Sequence, residues 1–211
     1  MALSKISDLS ITDDTIKNAD INSSAAIALT KLSGGIDLAA SGAGGVTGIL
    51  PVANGGTAAT TLAGAGLTNA PGFQAKLSAS QNPSGSTWTT IAFNTELYDS
   101  DGCYDNSSTY AFTPTTAGKY FVYWSVVGDI STVPSLKNIS TRVRKNGSGF
   151  WVPFMSNNDN NWVNITSGAS TVVDMNGSSD YLDVQGYIIV SSGANYFLAD
   201  SYFGAYRLIG V

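Results

Sequence analysis

The sequence predicts an all-β sandwich or jelly roll over residues 73–211, preceded by an extended, non-globular stretch over residues 1–72. Three observations predict it. All 22 aromatic residues (4 Trp, 10 Tyr, 8 Phe) lie at or after Phe73, whereas residues 1–72 contain none and 14 alanines. Large rings supply most of the area that a β-sandwich core buries. Second, 27 Ser, 20 Thr, 16 Asn and 23 Gly make up 86 of the 211 residues, while charged residues are only 12%, about half the usual ~25%. Hydroxyls and amides therefore carry the solvation, and they suit turns and strands. Third, the chain after Phe73 alternates short β-branched and aromatic runs with Gly, Asn and Ser, and no amphipathic helix appears.

The N-terminal region has its own rhythm. Ile11, Ile16 and Ile21 recur five apart, followed by Ile27 and Leu32 after a one-residue slip. That spacing matches neither the 3.6-residue helical period nor a strand alternation. It describes either an extended, weakly ordered tail or a segment that folds only beside copies of itself. One chain offers a single thin apolar row, which three chains around an axis would bury together. The Gly-rich stretch over residues 41–45 then serves as a hinge or tight turn, and Asn69-Ala70-Pro71-Gly72 marks the boundary.

Within the aromatic part, residues 87–93 (Thr-Trp-Thr-Thr-Ile-Ala-Phe) form the first strand candidate. Residues 120–127 form the strongest. Tyr120, Val122, Trp124 and Val126 share one face, with Phe121, Tyr123 and Ser125 on the other. Both faces are largely apolar, so both are expected to be covered. Gly118 ahead of this strand fits a turn with positive φ or close backbone approach. Residues 140–145 run into Asn146-Gly147, the best short hairpin signal in the chain. Residues 170–175, 180–190 and 202–209 complete an expected set of eight to ten strands.

Two resemblances follow from named residues. Residues 19–32 (ADINSSAAIALTKL) and 46–57 (VTGILPVANGGT) resemble tandem segments of bacteriophage tail-fibre and appendage proteins. That resemblance implies a virion-anchoring and shaft segment, with Ile11, Ile16, Ile21, Ile27 and Leu32 as its anchoring row. From Phe93 through Asp99, Tyr104, Phe112 and Gly118-Lys119-Tyr120 to Trp124, the chain resembles the signature of the C1q/TNF-like jelly-roll domain. Phe112 falls one position late, and Val122 stands where that family has a Phe. The resemblance extends from an opening strand at residues 71–78, through the Asn146-Gly147 hairpin and residues 170–184, to a last strand at residues 201–204. It implies a homotrimer whose opening and closing strands face the three-fold axis, making Phe73, Leu77, Phe203, Tyr206 and Leu208 interface candidates. The alternative for each is a place in the protomer's own core. Phe93, Phe112, Gly118, Tyr120 and Trp124 are expected to build the domain core.

Several chemistries drop out. The chain has no His, one Cys (Cys103) and one Glu (Glu96), which excludes His-dependent nucleophiles, His-ligated metals, an intrachain disulfide and thiolate zinc clusters. A net charge of −5 gives no case for nucleic acid or an anionic membrane. No apolar run reaches bilayer length, and no basic-then-apolar leader is visible. The expectation is a soluble, non-exported, non-catalytic chain without cofactors. Asp99 and Asp101, with Asp105 nearby, resemble a fragment of a calcium loop but read better as an Asx-rich turn. Asn157, Asn158, Asp159, Asn160, Asn161 and Trp162 form a polar loop with an adjacent ring, a candidate receptor-contact loop for a host glycan or protein. Arg142, Arg144 and Lys145 form the basic cluster of the hairpin and read as a solvated face rather than a ligand site. The composite expectation is a short trimeric virion fibre or appendage that contacts another virion protein through residues 1–72 and the host surface through its head. A free extracellular C1q-like lectin or ligand module is the alternative, and a capsule depolymerase the third reading.

Overall fold

In the computed structural model, the described residues are 59, 61–62, 64–84, 86–130, 136–156 and 163–209. The expected anchoring row and the candidate loop 157–162 lie outside them. The described residues form eleven strands: β1 (Gly72–Lys76), β2 (Thr89–Thr90), β3 (Thr95–Asp99), β4 (Gly118–Ile130), β5 (Leu136–Lys145), β6 (Ser148–Trp151), β7 (Phe154–Ser156), β8 (Asn164–Met175), β9 (Leu182–Val190), β10 (Asn195–Phe197) and β11 (Tyr202–Arg207). None of the described residues is helical, and no helix among them is long and apolar enough to cross a membrane.

The strands build two antiparallel sheets. The first runs β10-β4-β11-β1-β3, with β8 on the other edge of β4; the second runs β2-β9-β5-β6, with β7 also on β5. The chain passes from one sheet to the other after β1, β2, β4, β7, β8 and β9, the wrapping of a jelly-roll sandwich. The described residues are thus all-β, as the strand periodicity predicts. Strand β4 spans the first sheet because inward and outward positions alternate without interruption from Lys119 to Asp129. Its inward members Tyr120, Val122, Trp124 and Val126 are buried, and Phe121, Tyr123 and Ser125 point outward and remain half-exposed. The expectation that both faces are covered therefore fails within one chain.

Packing explains which residues sit inside. Phe73 stacks on Tyr104 (4.4 Å between centroids) and Phe112 (4.6 Å), with Phe203 edge-on at 4.9 Å. Phe93, Tyr120 and Trp124 join the same cluster. Trp124 Nε1 donates to Thr141 Oγ1 at 2.8 Å, Thr141 shares a hydrogen bond with Ser167 Oγ, and Ser167 donates to the Pro153 carbonyl. This relay satisfies the polar atoms that a buried indole and hydroxyl would otherwise strand.

Two elements differ from expectation. The strand expected over residues 87–93 shrinks to Thr89–Thr90, because Phe93 N bonds Ile91 O in a tight local turn that leaves the ladder. Strand β3 arises where none was read, held by β1 through a register shift at Gln74/Ala75. The hairpin is as read: Lys145 pairs Ser148 around Asn146 and Gly147, with φ of 53° and 80°, the two-positive-φ geometry that favours Asn-Gly.

Candidate functional site

The outer face of the first sheet is built by three registers. Tyr206 lies opposite Phe121, Gly204 opposite Tyr123, and Tyr202 opposite Ser125. On the far side of β4, Val172 pairs with Phe121, and Tyr98 reaches the same face from β3 opposite Gln74. The rings form a continuous layer: Phe121–Tyr206 centroids are 5.4 Å apart, Tyr123–Tyr202 6.2 Å and Tyr123–Tyr206 6.4 Å. Gly204 makes the layer possible, because a Cβ there would come within 2.4 Å of the Tyr123 hydroxyl oxygen. Burial, then the neighbouring Tyr98 phenol, pushes the Tyr123 hydroxyl well above the usual tyrosine range. Tyr98, Tyr202 and Val172 are 44%, 38% and 50% exposed.

The five interface candidates divide. Phe73, Leu77 and Phe203 are 0%, 2% and 0% exposed in the single chain and fill its own core, a correction to their reading as interface residues. The reason is alternation: β1 and β11 are interior strands, and Phe73, Ala75, Phe203 and Ala205 take the inward positions. Tyr206 takes an outward one, and Leu208, just past β11, is half-buried. Sequence reasoning missed Tyr98 and Tyr202 and placed Phe121 and Tyr123 on a covered face. Alternation along β4 already put the last two together.

Gly118 has φ 146°, and a Cβ there would meet Arg207 Nε at 3.2 Å, so a left-handed backbone and close approach both hold. Asp99 accepts backbone N–H bonds from Asp101 (3.3 Å) and Tyr104 (2.8 Å), and Asp101 accepts from Ser100 Oγ. This is an Asx turn into the aromatic cluster. No group of three or more His, Cys, Asp or Glu side chains with metal-holding geometry occurs among the described residues. Cys103 is buried.

A second feature lies on the outer face of the second sheet. Arg144 pairs with Asp183 and Arg142 with Gln185 across β5 and β9. Arg144 Nε donates to Asp183 Oδ1 at 2.8 Å, and its Nη2 donates to Oδ2. Although it points away from the core, Asp183 is only 5% exposed. Two segments explain this by sharing the free edge of β9. Thr89–Thr90 pairs with Gly186 and Gln185, while Phe112 pairs with Leu182 through reciprocal N–H···O=C bonds of 2.8 and 2.9 Å. Between them opens a cleft of about 540 Å³ with Arg144 and Asp183 in its lining.

Each wall is held in place. Gln81 accepts from Ala92 N and donates to Thr90 O, both at 2.9 Å, fixing one side. On the other, Asp105 accepts from the backbone N–H groups of Ser107, Ser108 and Thr109 and from all three hydroxyls. Those bonds, Ser108 and Thr109 foremost, hold its carboxyl far below the usual range. Tyr110 follows with φ 53°, an outlying conformation for a bulky residue, and lines the cleft together with Tyr181. Beside the cleft, Arg142 directs Nε and Nη2 at Gln185 Oε1 (3.0 and 2.6 Å) and lies 4.2 Å over the Trp88 ring. Trp88 in turn packs on Tyr187 at 5.5 Å. The basic cluster is therefore not a solvated face: Arg142 and Arg144 are half-buried and built into a surface that sequence reasoning did not assemble.

No family model and no curated protein matches the sequence. Solved structures do. The chain is similar to the globular domain of zebrafish complement 1qA protein, at 12% identity and TM-score 0.49, over 65% of this chain and 97% of that one. It is similar to Eiger TNF from S. frugiperda, at 13% identity and TM-score 0.46, over 66% and 92%. It is also similar to murine APRIL, at 11% identity and TM-score 0.46, over 65% and 98%.

Proposed function

We propose that residues 73–211 form the head of a homotrimeric, non-catalytic attachment module, carried on residues 1–72 as a short fibre or appendage of a bacteriophage virion. The observation that carries the trimer is the ring layer of Phe121, Tyr123, Tyr202 and Tyr206 on the outer face of the first sheet. A continuous layer of half-buried rings on an outer face fits a surface that another molecule covers, and aromatic residues are enriched where protein surfaces meet. The partner is a second and third copy, because three chains around one axis would cover the N-terminal apolar row as well as the ring layer. The virion assignment is supported by the two N-terminal stretches that resemble tail-fibre segments. A binding rather than catalytic role is supported by a chain without His and by an Asp183 already neutralised by Arg144.

Light scattering after size exclusion tests the trimer. The full chain at micromolar concentration should give three times 21.8 kDa, about 65 kDa. Phe121→Glu combined with Tyr206→Glu should give single 21.8 kDa chains with unchanged far-UV circular dichroism, since burying unpaired carboxylates in such a layer costs several kcal/mol. A wild-type monomer would sink the proposal. The attachment role predicts that purified protein competes with virions for adsorption to host cells, and a free ligand module would not.

A further inference from the structure

We propose that the cleft between the β2 end and residues 108–113, together with the Arg142–Trp88 platform beside it, binds an acidic oligosaccharide. This deepens the attachment reading and rests on it for the receptor's biological source, while the chemistry stands on the cleft itself. The lining decides the ligand class. Thr90, Ser108, Thr109 and Thr113 bring hydroxyls, Tyr110 and Tyr181 bring ring faces and phenols, and the aliphatic lining is confined to Ala92 and Ala111. Ring faces and alanine methyls alternate with hydroxyls that an acyl chain or apolar peptide would leave unpaired. A pyranose has equatorial hydroxyls for the polar lining and a C–H face for the rings, the usual combination of apolar wall and few placed polar groups.

Charge decides the kind of sugar. Arg144 is committed to Asp183 through two hydrogen bonds, so the cleft floor is close to neutral. Arg142 lies two residues away on the same face of β5, about 6.6 Å along the strand at ~3.3 Å per residue. Its guanidinium contacts a neutral amide and an aromatic face, and it forms no ion pair with any described carboxylate. Among the described residues no carboxylate contacts it, the nearby Asp183 being bonded to Arg144, on a chain with net charge −5. A carboxylate on the sugar next to the ring in the cleft gives Arg142 a charge-assisted partner at the guanidinium N–H groups that Gln185 leaves free.

The cleft is also built in advance. Asp105 fixes the loop that leads into Tyr110 through six hydrogen bonds, and Tyr110 sits in a left-handed conformation that costs energy. Strain of this kind gathers at binding sites, and rigid walls lower the ordering cost of binding.

The test titrates the full-length protein with sialyllactose and trigalacturonate as acidic probes and with lactose and maltotriose as neutral ones, by calorimetry and ligand-observed NMR. At least one acidic probe should bind about tenfold or more tighter than its neutral counterpart. Tyr110→Gly, which suits the left-handed backbone while removing the ring, and Arg142→Gln should each weaken that binding about tenfold with the oligomer mass unchanged. No saturable binding of any probe up to roughly 10 mM, equal affinity for neutral and acidic probes, or binding indifferent to both variants would each overturn the proposal. If host adsorption persists while every saccharide fails, the cleft assignment falls and attachment stands. If saccharides bind but adsorption is not competed, the attachment reading falls and the cleft assignment stands.

Discussion

At the residue scale, Thr141 does most with least. Its hydroxyl accepts from Trp124 Nε1 at 2.8 Å and bonds Ser167 at 3.1 Å in a fully buried position. Thr141→Val keeps the shape and strands the indole N–H, and an unsatisfied buried donor costs about 1–3 kcal/mol. Chemical denaturation should show that loss for Thr141→Val and substantially less for Thr141→Ser, which keeps the oxygen. Equal stability of the Val variant and the wild type would mean that the relay contributes nothing. Trp124 was legible from sequence as an inward ring. Its partner was not, because residues 124 and 141 meet only when the two sheets stack.

At the element scale, the β5–β6 turn reaches beyond its own hairpin. Asn146 donates to Asp180 Oδ1 at 2.8 Å and accepts from Tyr181 N, while Lys145 pairs with Asp180 at 2.8 Å. The Asn146 hydrogen bond first, then Lys145, holds the Asp180 carboxyl down at about 2. Its value in the unfolded chain is ~3.9, so the folded form binds its proton less readily. The associated stability is fully present above about pH 4 and is lost as the pH falls toward 2. Asp180→Asn should flatten that part of the stability-versus-pH curve without abolishing it, because Asp105 is held low as well; an unchanged slope would show that the turn does not tune this carboxyl. Elements with strict alternation or a turn dipeptide, β4, β11 and the Asn146-Gly147 hairpin, were readable from sequence alone. Strand β3 was not: Glu96, Leu97 and Tyr98 are all exposed, so its pattern shows no apolar face, and its pairing with β1 alone defines it.

At the scale of the whole molecule, the fold class followed from composition and period, but neither outer face could be assembled from the chain. The cleft draws on segments near residues 81, 90, 110, 144 and 182, joined by the β5–β9 register, the shared edge of β9 and the Gln81 hydrogen bonds to Thr90 and Ala92. The ring layer needed the β4–β11 register to show that Tyr202 and Tyr206 meet Phe121 and Tyr123. If three heads each carry one cleft, tethering multiplies avidity by about 10²–10⁴ over a single contact. The Phe121→Glu/Tyr206→Glu chain should therefore bind a saccharide-coated surface weaker by that order, with its affinity for the free saccharide unaltered. Comparable surface retention for both proteins would count against polyvalent binding.

The two outer faces lie back to back, separated by the buried ring cluster around Phe73, and share no side chain. Strands β4 and β11 present one face, and β5 and β9 the other. Substitutions at Tyr110, Arg142 or Thr90 therefore alter the cleft and leave every ring of the Phe121–Tyr206 layer in place. A lineage carrying this chain would be expected to vary on one side of the sandwich and hold still on the other.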